Sequence, residues 1–346
     1  MDSVAKPSTY VPAGAFERDQ ILDLARSIVD IDSTTGSEGA AGQWLARYLR
    51  ERGYFVVEQP VDAGRFNVFA TTGSPEVVLS THYDCVPPFF ASRVDGDRLY
   101  GRGSCDAKGI LAAQVAAADR LRRAGEPRAG LLFVVGEERG SDGARAANLV
   151  ADGCRFLVNG EPTDSRLGVA TRGALRVRLR AAGRAAHSSF PELGESAIDK
   201  LLDTLVELRS IALPADPVLG VTHYTIGTIA GGVAPNVVSP SAEAEVMFRT
   251  VGDAGEVMRA IAPLARRVAI EQILDVPTAR LTTVPGFDTA VFPYTTDIPF
   301  LDRWGRALLF GPGSVHVAHT ANEFIEIAEL RAAVDSYAEI ARGLLG

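Results

Sequence analysis

Three times in this chain a short, uninterrupted apolar run ends on residues that titrate or bind metals. VVL precedes Ser80-Thr81-His82-Tyr83-Asp84, LLFVV precedes Gly136-Glu137-Glu138, and Phe156–Val158 precedes Asn159-Gly160-Glu161-Pro162. A strand such as Leu131–Val135, apolar on both faces, needs cover on both faces and belongs inside a parallel or mixed sheet. Amphipathic or Ala/Leu-rich helical stretches supply that cover at Ile21–Val29, Ala41–Arg52, Ala107–Arg123 and about 144–151. Further β-rich runs fall at Tyr54–Val57, Asn67–Ala70 and Val77–Ser80. The alternation predicts an α/β layered domain. Such folds gather ligands beyond the strand ends, where the three clusters stand.

Near Gly168 the texture changes. Ala174–Arg180, ALRVRLR, alternates apolar and cationic residues, as a strand with one wet face does. A helix at about 196–209, strands at Tyr224–Ile229 and Ala242–Phe248, and a helix over about 254–269 follow. This β-α-β-β-α-β order predicts a smaller α+β domain inserted into the first. The α/β style returns from about Val284 and ends in an amphipathic helix near Ile327–Leu345. The 346 residues are therefore read as a discontinuous catalytic domain, 1–167 and 284–346, holding an inserted lid, 168–283.

Composition narrows the partners. The net charge is -8 and no Lys/Arg-rich run occurs, which argues against nucleic acid. No apolar stretch approaches the roughly 20 residues of a membrane span. The opening MDSVAKPSTYVPAGAFERDQ does not read as a secretory signal. The odd set Cys85, Cys105 and Cys154 reads as reduced thiols, so a cytoplasmic setting is expected.

Each candidate residue has a plain reading when taken singly. A strand-end histidine such as His82 serves structural hydrogen bonds, Asp106 can cap the helix it precedes, an EE pair fits a solvated face, and Glu161 before a proline fits a loop. Read chemically, His82 offers a ring nitrogen to a metal while Asp84 accepts the other ring N–H. Of the adjacent Glu137 and Glu138, one can hold metal while the other moves a proton. A late segment, His316-Val317-Ala318-His319-Thr320-Ala321-Asn322-Glu323, adds two of the five histidines. The assembly of so many candidate ligands at strand exits and Gly-rich turns outweighs the single readings.

Together STHYDCVPP, YGRGSCDAKG, GEE, NGEP and AHTANE resemble the M20 metallopeptidase family, in order and spacing, from about residue 20 to the C-terminus. The family includes acetylornithine deacetylases, succinyl-diaminopimelate desuccinylases, aminoacylases and glutamate-type carboxypeptidases. The resemblance implies a mixed-sheet zinc-peptidase-like catalytic domain with an inserted lid and dimerisation domain. It implies two divalent metals, zinc expected and cobalt or manganese acceptable to the same donors. His82 and Glu161 would hold one, Glu138 and His319 the other, and Asp106 would bridge them, with metals about 3.5–4 Å apart. Glu137 would be the general base, taking a proton from the attacking water and passing it to the leaving amine, and Asp84 would orient His82. A cis peptide often follows the bridging Asp in this family, which makes Asp106–Ala107 a candidate. GRAAHSS matches the lid motif, so His187 would stabilise the oxyanion, in dimeric relatives across to the partner subunit. GGVAPN and VMFRT match substrate-binding positions, implying Asn236 and Arg249, the latter gripping an α-carboxylate. His223 and His316 match nothing and read as structural.

The expected activity is removal of an acyl group, acetyl first, from an N-acyl amino acid. The ending LFGPGSVHVAHTANEFIEIAEL looks closest to acetylornithine, acetylcitrulline or acetyl-lysine deacetylases of amino-acid biosynthesis. A dipeptidase or carboxypeptidase with the same site is the rival within the class, and the substrate in either case is a small molecule. A homologue that binds metal but has lost turnover is the rival of another class, against which Glu137 and Asp106 both stand intact. A cysteine-dependent hydrolase would need His82 paired with Cys85, and His82 is better used on metal.

Overall fold

The computed structural model describes residues 18–151 and 153–346, which divide into two compact units. The first comprises the described residues through Arg166 with Val284–Phe287 and Phe300–Gly346. Its six-stranded sheet runs in the order Phe55–Asp62, Arg65–Thr71, Ala129–Val134, Val77–His82, Phe156–Asn159, Arg306–Leu309. The last four strands are mutually parallel, and the hairpin of the first two joins antiparallel. The mixed sheet follows from the sequence: Val77–His82 and Ala129–Val134 are buried at every position, as continuous apolar runs require.

Helix Lys108–Arg123 lies against these two strands and packs on helices Arg18–Val29 and Ile327–Leu345. It is buried almost all round, and its alanines at 112, 113, 116, 117 and 118 allow close approach. Val78, Leu132, Val134 and Leu157 of the sheet share a core with Ala144, Leu301 and Trp304. By area, each large apolar side chain buried here contributes about 1.5–3 kcal/mol.

The second unit comprises Leu167–Thr283 and Asp288–Pro299. Its four-stranded antiparallel sheet has the order His223–Gly231, Ser241–Thr250, Gly173–Ala182, Ala269–Val276. Leu175, Val177 and Leu179 share one face with Val246 and Phe248, packed on helices Ala197–Leu208 and Ala254–Ile261. Both helices are capped as their sequences suggest, by Ser196 accepting from the Asp199 N–H and Asp253 accepting from that of Gly255. The other face carries the alternate residues, where Arg178 and Arg180 pair with Glu243, Glu245 and Glu271.

Two sequence expectations need correction. The helix drawn over about 254–269 ends at Ile261, continues as a 3-10 turn, Ala262–Arg266, and gives way to the strand Ala269–Val276. Pro263 has no N–H to extend the helical ladder, which stops it there. The catalytic segment drawn as 284–346 loses residues 288–299 to the second unit. Strand Thr289–Phe292 pairs in parallel with Leu167–Thr171 and so completes a three-stranded sheet there. Among the described residues no helix is long and apolar enough to cross a membrane.

Candidate metal centre

The strand ends of the first unit converge. His82 is the last residue of Val77–His82, Glu137 and Glu138 lie in the short turn after Ala129–Val134, and Glu161 follows Phe156–Asn159 by two residues. Parallel strands deliver their C-terminal ends to one side of a sheet, which is why the apolar runs share their polar exits. Asp106 comes from the Gly-rich turn before helix Lys108–Arg123, and His319 from the loop after Arg306–Leu309.

Two triads result. His82, Asp106 and Glu161 bring one donor atom each to within 4.8 Å of one another, and so do Asp106, Glu138 and His319. Asp106 belongs to both. Its Oδ1 lies 3.1 Å from Nε2 of His82, and its Oδ2 lies 3.2 Å from Nε2 of His319. Oε1 of Glu138 is 3.0 Å from that same His319 nitrogen. The helix-cap reading of Asp106 is not realised: Ala107 occupies the cap position, without a side-chain cap bond. The Asp106–Ala107 peptide is cis, and His319 has a left-handed φ of 62°.

Asp84 differs from its expected role. The His82 Nδ1–H donates to the Asp84 backbone carbonyl at 3.0 Å, and the nearer carboxylate oxygen lies at 3.5 Å. The buried carboxylate instead accepts from the backbone N–H of Glu137 at 3.1 Å, of Glu138 at 3.3 Å, and from the Thr35 hydroxyl at 2.8 Å. Asp84 therefore orients the His82 ring through its main chain and holds the Glu137-Glu138 turn through its side chain. Thr35 carried no motif that would have singled it out.

Electrostatics explain what these groups lack. Hydrogen bonds to Asp106 and then Glu138 push the His319 pKa up to about 10. Burial alone would lower the His82 pKa, but Asp106 and Asp84 hold it well above the usual imidazole range. Burial would raise the Asp106 carboxyl, yet the two imidazoles keep it well below its ordinary value. Burial, above all, lifts the Glu138 carboxyl. Both rings thus carry protons between carboxylates, and two imidazoles with three carboxylates form a donor set suited to a pair of divalent cations. That chemistry fits the metals expected from the sequence.

Glu323, quoted in the sequence motif without a role, is fully buried and turns its carboxylate onto the Asp106 turn. The sequence signal was only its place four residues after His319. The cysteines offer no nucleophile: burial raises the Cys85 thiol to about 12 and holds Cys105 well above its usual value.

Within the second unit, the loops bearing His187 and Asn236 lie side by side. His187 bridges to Val237, and the Ser188 N–H donates to the Asn236 carbonyl at 3.0 Å. The exposed His187 ring accepts from the Ser189 N–H at Nδ1, 3.2 Å, which in the neutral ring leaves Nε2 as the donor. Arg249, on strand Ser241–Thr250, is half-buried and has no carboxylate partner among the described residues, and burial depresses its guanidinium pKa. His223, opposite it, accepts from Arg172 at 2.6 Å, consistent with a structural role.

This geometry can be set against known proteins. Residues 78–343 match the sequence profile of Peptidase family M20/M25/M40. A peptidase M20 domain-containing protein of Schizosaccharomyces pombe is 39% identical over 344 residues, covering 95% of this chain and 85% of the relative. A probable carboxypeptidase of Aspergillus flavus is 37% identical, covering 94% of this chain and 87% of the relative. Among solved structures, a tripeptidase from Staphylococcus aureus has a TM-score of 0.81 at 21% identity, covering 95% of this chain and all of that one, a likeness of fold. The family profile and the two relatives, each spanning most of the chain, place it in peptidase family M20/M25/M40 as a metal-dependent hydrolase of amide bonds.

Proposed function

We propose that this enzyme hydrolyses the amide bond that joins an acyl or aminoacyl group to an amino acid with a free α-carboxylate. The observation that carries the proposal is the shared Asp106, which ties two imidazole–carboxylate triads into one centre. In this reading His82 and Glu161 would hold one divalent cation, Glu138 and His319 the other, and Asp106 would serve both. When bound, the cations would acidify the attacking water and polarise the scissile carbonyl. The Glu137 carboxylate accepts the proton from that water and hands it to the leaving amine nitrogen. Asp84 keeps Glu137 in place by holding its backbone N–H, and orients His82 through its carbonyl. His187 is assigned to oxyanion stabilisation, Asn236 to substrate binding, and Arg249 to the substrate carboxylate. Arg249 supports its assignment by having no acidic partner among the described residues, on a sheet face where Arg178 and Arg180 each have one.

The acyl side distinguishes two readings. The carboxypeptidase name of the Aspergillus relative favours a peptide substrate. The ending LFGPGSVHVAHTANEFIEIAEL favours deacetylation of an acetylated amino acid such as acetylornithine, acetylcitrulline or acetyl-lysine. Turnover of the metal-reconstituted protein on N-acetyl amino acids, N-succinyl amino acids and dipeptides decides between them. Cleavage of dipeptides alone removes the deacetylase reading, and cleavage of N-acetyl substrates alone removes the peptidase one. Two bound metals with no turnover on any of them would make the chain a binding protein.

Zinc is the proposed native metal, with cobalt or manganese as substitutes. We also assign a homodimer through the second unit. Strand His223–Gly231 is an exposed sheet edge, and Ile198, Leu202, Val206, Ile229 and Val233 are exposed apolar side chains in the same unit. A monomeric mass from light scattering at micromolar concentration would remove that assignment. A reducing, cytoplasmic setting accords with three free cysteines, and fractionation of cells tests it.

A further inference from the structure

Behind the candidate ligands, one carboxylate gathers the turn that presents Asp106. Oε1 of Glu323 accepts from three backbone N–H groups, Gly103 at 3.0 Å, Cys105 at 3.1 Å and Asp106 at 3.0 Å. Oε2 accepts from the Arg102 guanidinium at 2.6 Å, which also donates to the Pro88 carbonyl at 3.2 Å. Glu323 and Arg102 are 0% and 2% exposed. The Glu323 main chain joins the same structure: its carbonyl accepts the Gly101 N–H, and Phe324 pairs with Tyr100 in an antiparallel ladder. Gly103, at φ +86°, lets the chain curl around the carboxylate, and a Cβ there would lie 2.6 Å from the Cys85 sulfur.

A buried carboxylate that takes three amide N–H groups and a guanidinium is fully satisfied, and its hydrogen bonds are of the strong, charge-assisted kind. Its three amides span the residues up to and including Asp106. Four residues before it in the same loop stands His319, whose ring meets the carboxylate of Asp106. Glu323 thus ties the loop that presents one ligand to the turn that presents the shared one.

We infer that Glu323, charge-paired with Arg102, is a positioning residue that fixes the Asp106 carboxylate against both imidazoles and so sets metal affinity at both triads. Glu323 itself touches neither metal nor substrate. The inference rests on the proposed two-metal centre, and the experiment separates the two. The full-length wild type and Glu323→Gln are loaded with Co2+, and affinity is measured by competition with a chelator, alongside the cobalt d–d spectrum and a thermal melt. The glutamine keeps the shape and one acceptor oxygen but presents an NH2 where Arg102 or an amide donates.

Loss of an outer hydrogen-bond partner typically lowers metal affinity about 10–100-fold. The expected result is a drop of that size at both sites, with an altered cobalt spectrum and a melt that stays cooperative. Wild-type affinity and spectrum in a folded Glu323→Gln protein overturn the inference. A wild type that binds fewer than two cobalt ions overturns the two-metal reading instead. If Glu323→Gln fails to fold because Arg102 is left buried without a countercharge, the paired variant Arg102→Met with Glu323→Gln removes that charge. It is expected to show the same loss at both sites, and two wild-type affinities in it likewise overturn the inference.

Discussion

The two triads that share Asp106 are built from opposite kinds of structure. One takes His82 and Glu161 from strand exits and Asp106 from the Gly-rich turn, and the three are 1%, 5% and 8% exposed. The other takes Glu138 from a short turn and His319 from a long loop, and the His319 side chain is 51% exposed. Burial makes the first triad inseparable from the fold, because removing a charge there strands its partners away from water. In the second only the His319 ring is open to water, for the Glu138 side chain is 7% exposed, so water can replace the ring more readily than the carboxylates it meets. One centre therefore combines a structural half and an adjustable half, joined by a single carboxylate.

The largest effect belongs to a residue of neither triad. Glu137→Gln should lower turnover by about 10²–10⁴-fold, the usual worth of a positioned acid–base group. Metal content by elemental analysis should stay at the wild-type value in both halves. A near-normal rate removes Glu137 as the base, and lost metal would make it a ligand rather than a proton carrier.

Next comes the contrast between the histidines in the metal-free protein. His82→Ala removes the partner of buried Asp106 and Asp84, which by analogy with broken buried pairs costs about 3–5 kcal/mol of stability. His319→Ala removes a half-exposed ring from the buried carboxylates of Asp106 and Glu138, and because water can enter where the ring stood it should cost less than His82→Ala. Urea unfolding of both variants without metal measures the difference. Equal losses would show that the two halves are not divided by burial.

How far this contrast could be read beforehand depends on what each residue answers to. VVL, LLFVV and the run before Asn159 announced buried strands, because continuous apolar sequence has few other uses. His82, Glu138 and Glu161 were legible as candidates because they stand directly at those strand ends. ALRVRLR gave away the half-wet sheet in the same way, through its alternation. What was not legible answers to groups far away in sequence. The three amides held by Glu323 lie 217 to 220 residues before it. No local pattern distinguishes the Asp84 carbonyl from its carboxylate as the partner of His82. Strand Thr289–Phe292 is short, and its partner Leu167–Thr171 lies far back in the chain, so its membership of the second unit had no local sign.

The shared ligand should link the halves. Asp106→Asn keeps the shape but removes the charge that both imidazoles and both metals would use. Even an outer partner is worth about 10–100-fold in metal affinity, so the loss here should reach at least that range at both sites. Calorimetric titration with zinc would show two weakened sites. Loss at one site with the other at wild-type affinity would mean that Asp106 serves a single metal.

The smallest effect concerns protons. The His319 pKa is raised to about 10, chiefly by Asp106 and then Glu138, so in the metal-free protein the ring is protonated at pH 7. A raised value means that its ion pairs stabilise the metal-free fold fully below the ordinary imidazole pKa of about 6.5. That contribution fades as pH rises through about 10. Metal affinity has the opposite sign, because the ring must lose its proton before its nitrogen can bind. Between about pH 6.5 and 9 the affinity of the exposed half should climb roughly tenfold per pH unit, with one proton released by this ring. His319→Ala leaves only the buried half, so subtracting its titration from the wild type isolates the exposed one. If the isolated affinity is flat over that range, His319 is not a ligand whose proton the metal displaces, and the exposed half must bind through its carboxylates alone.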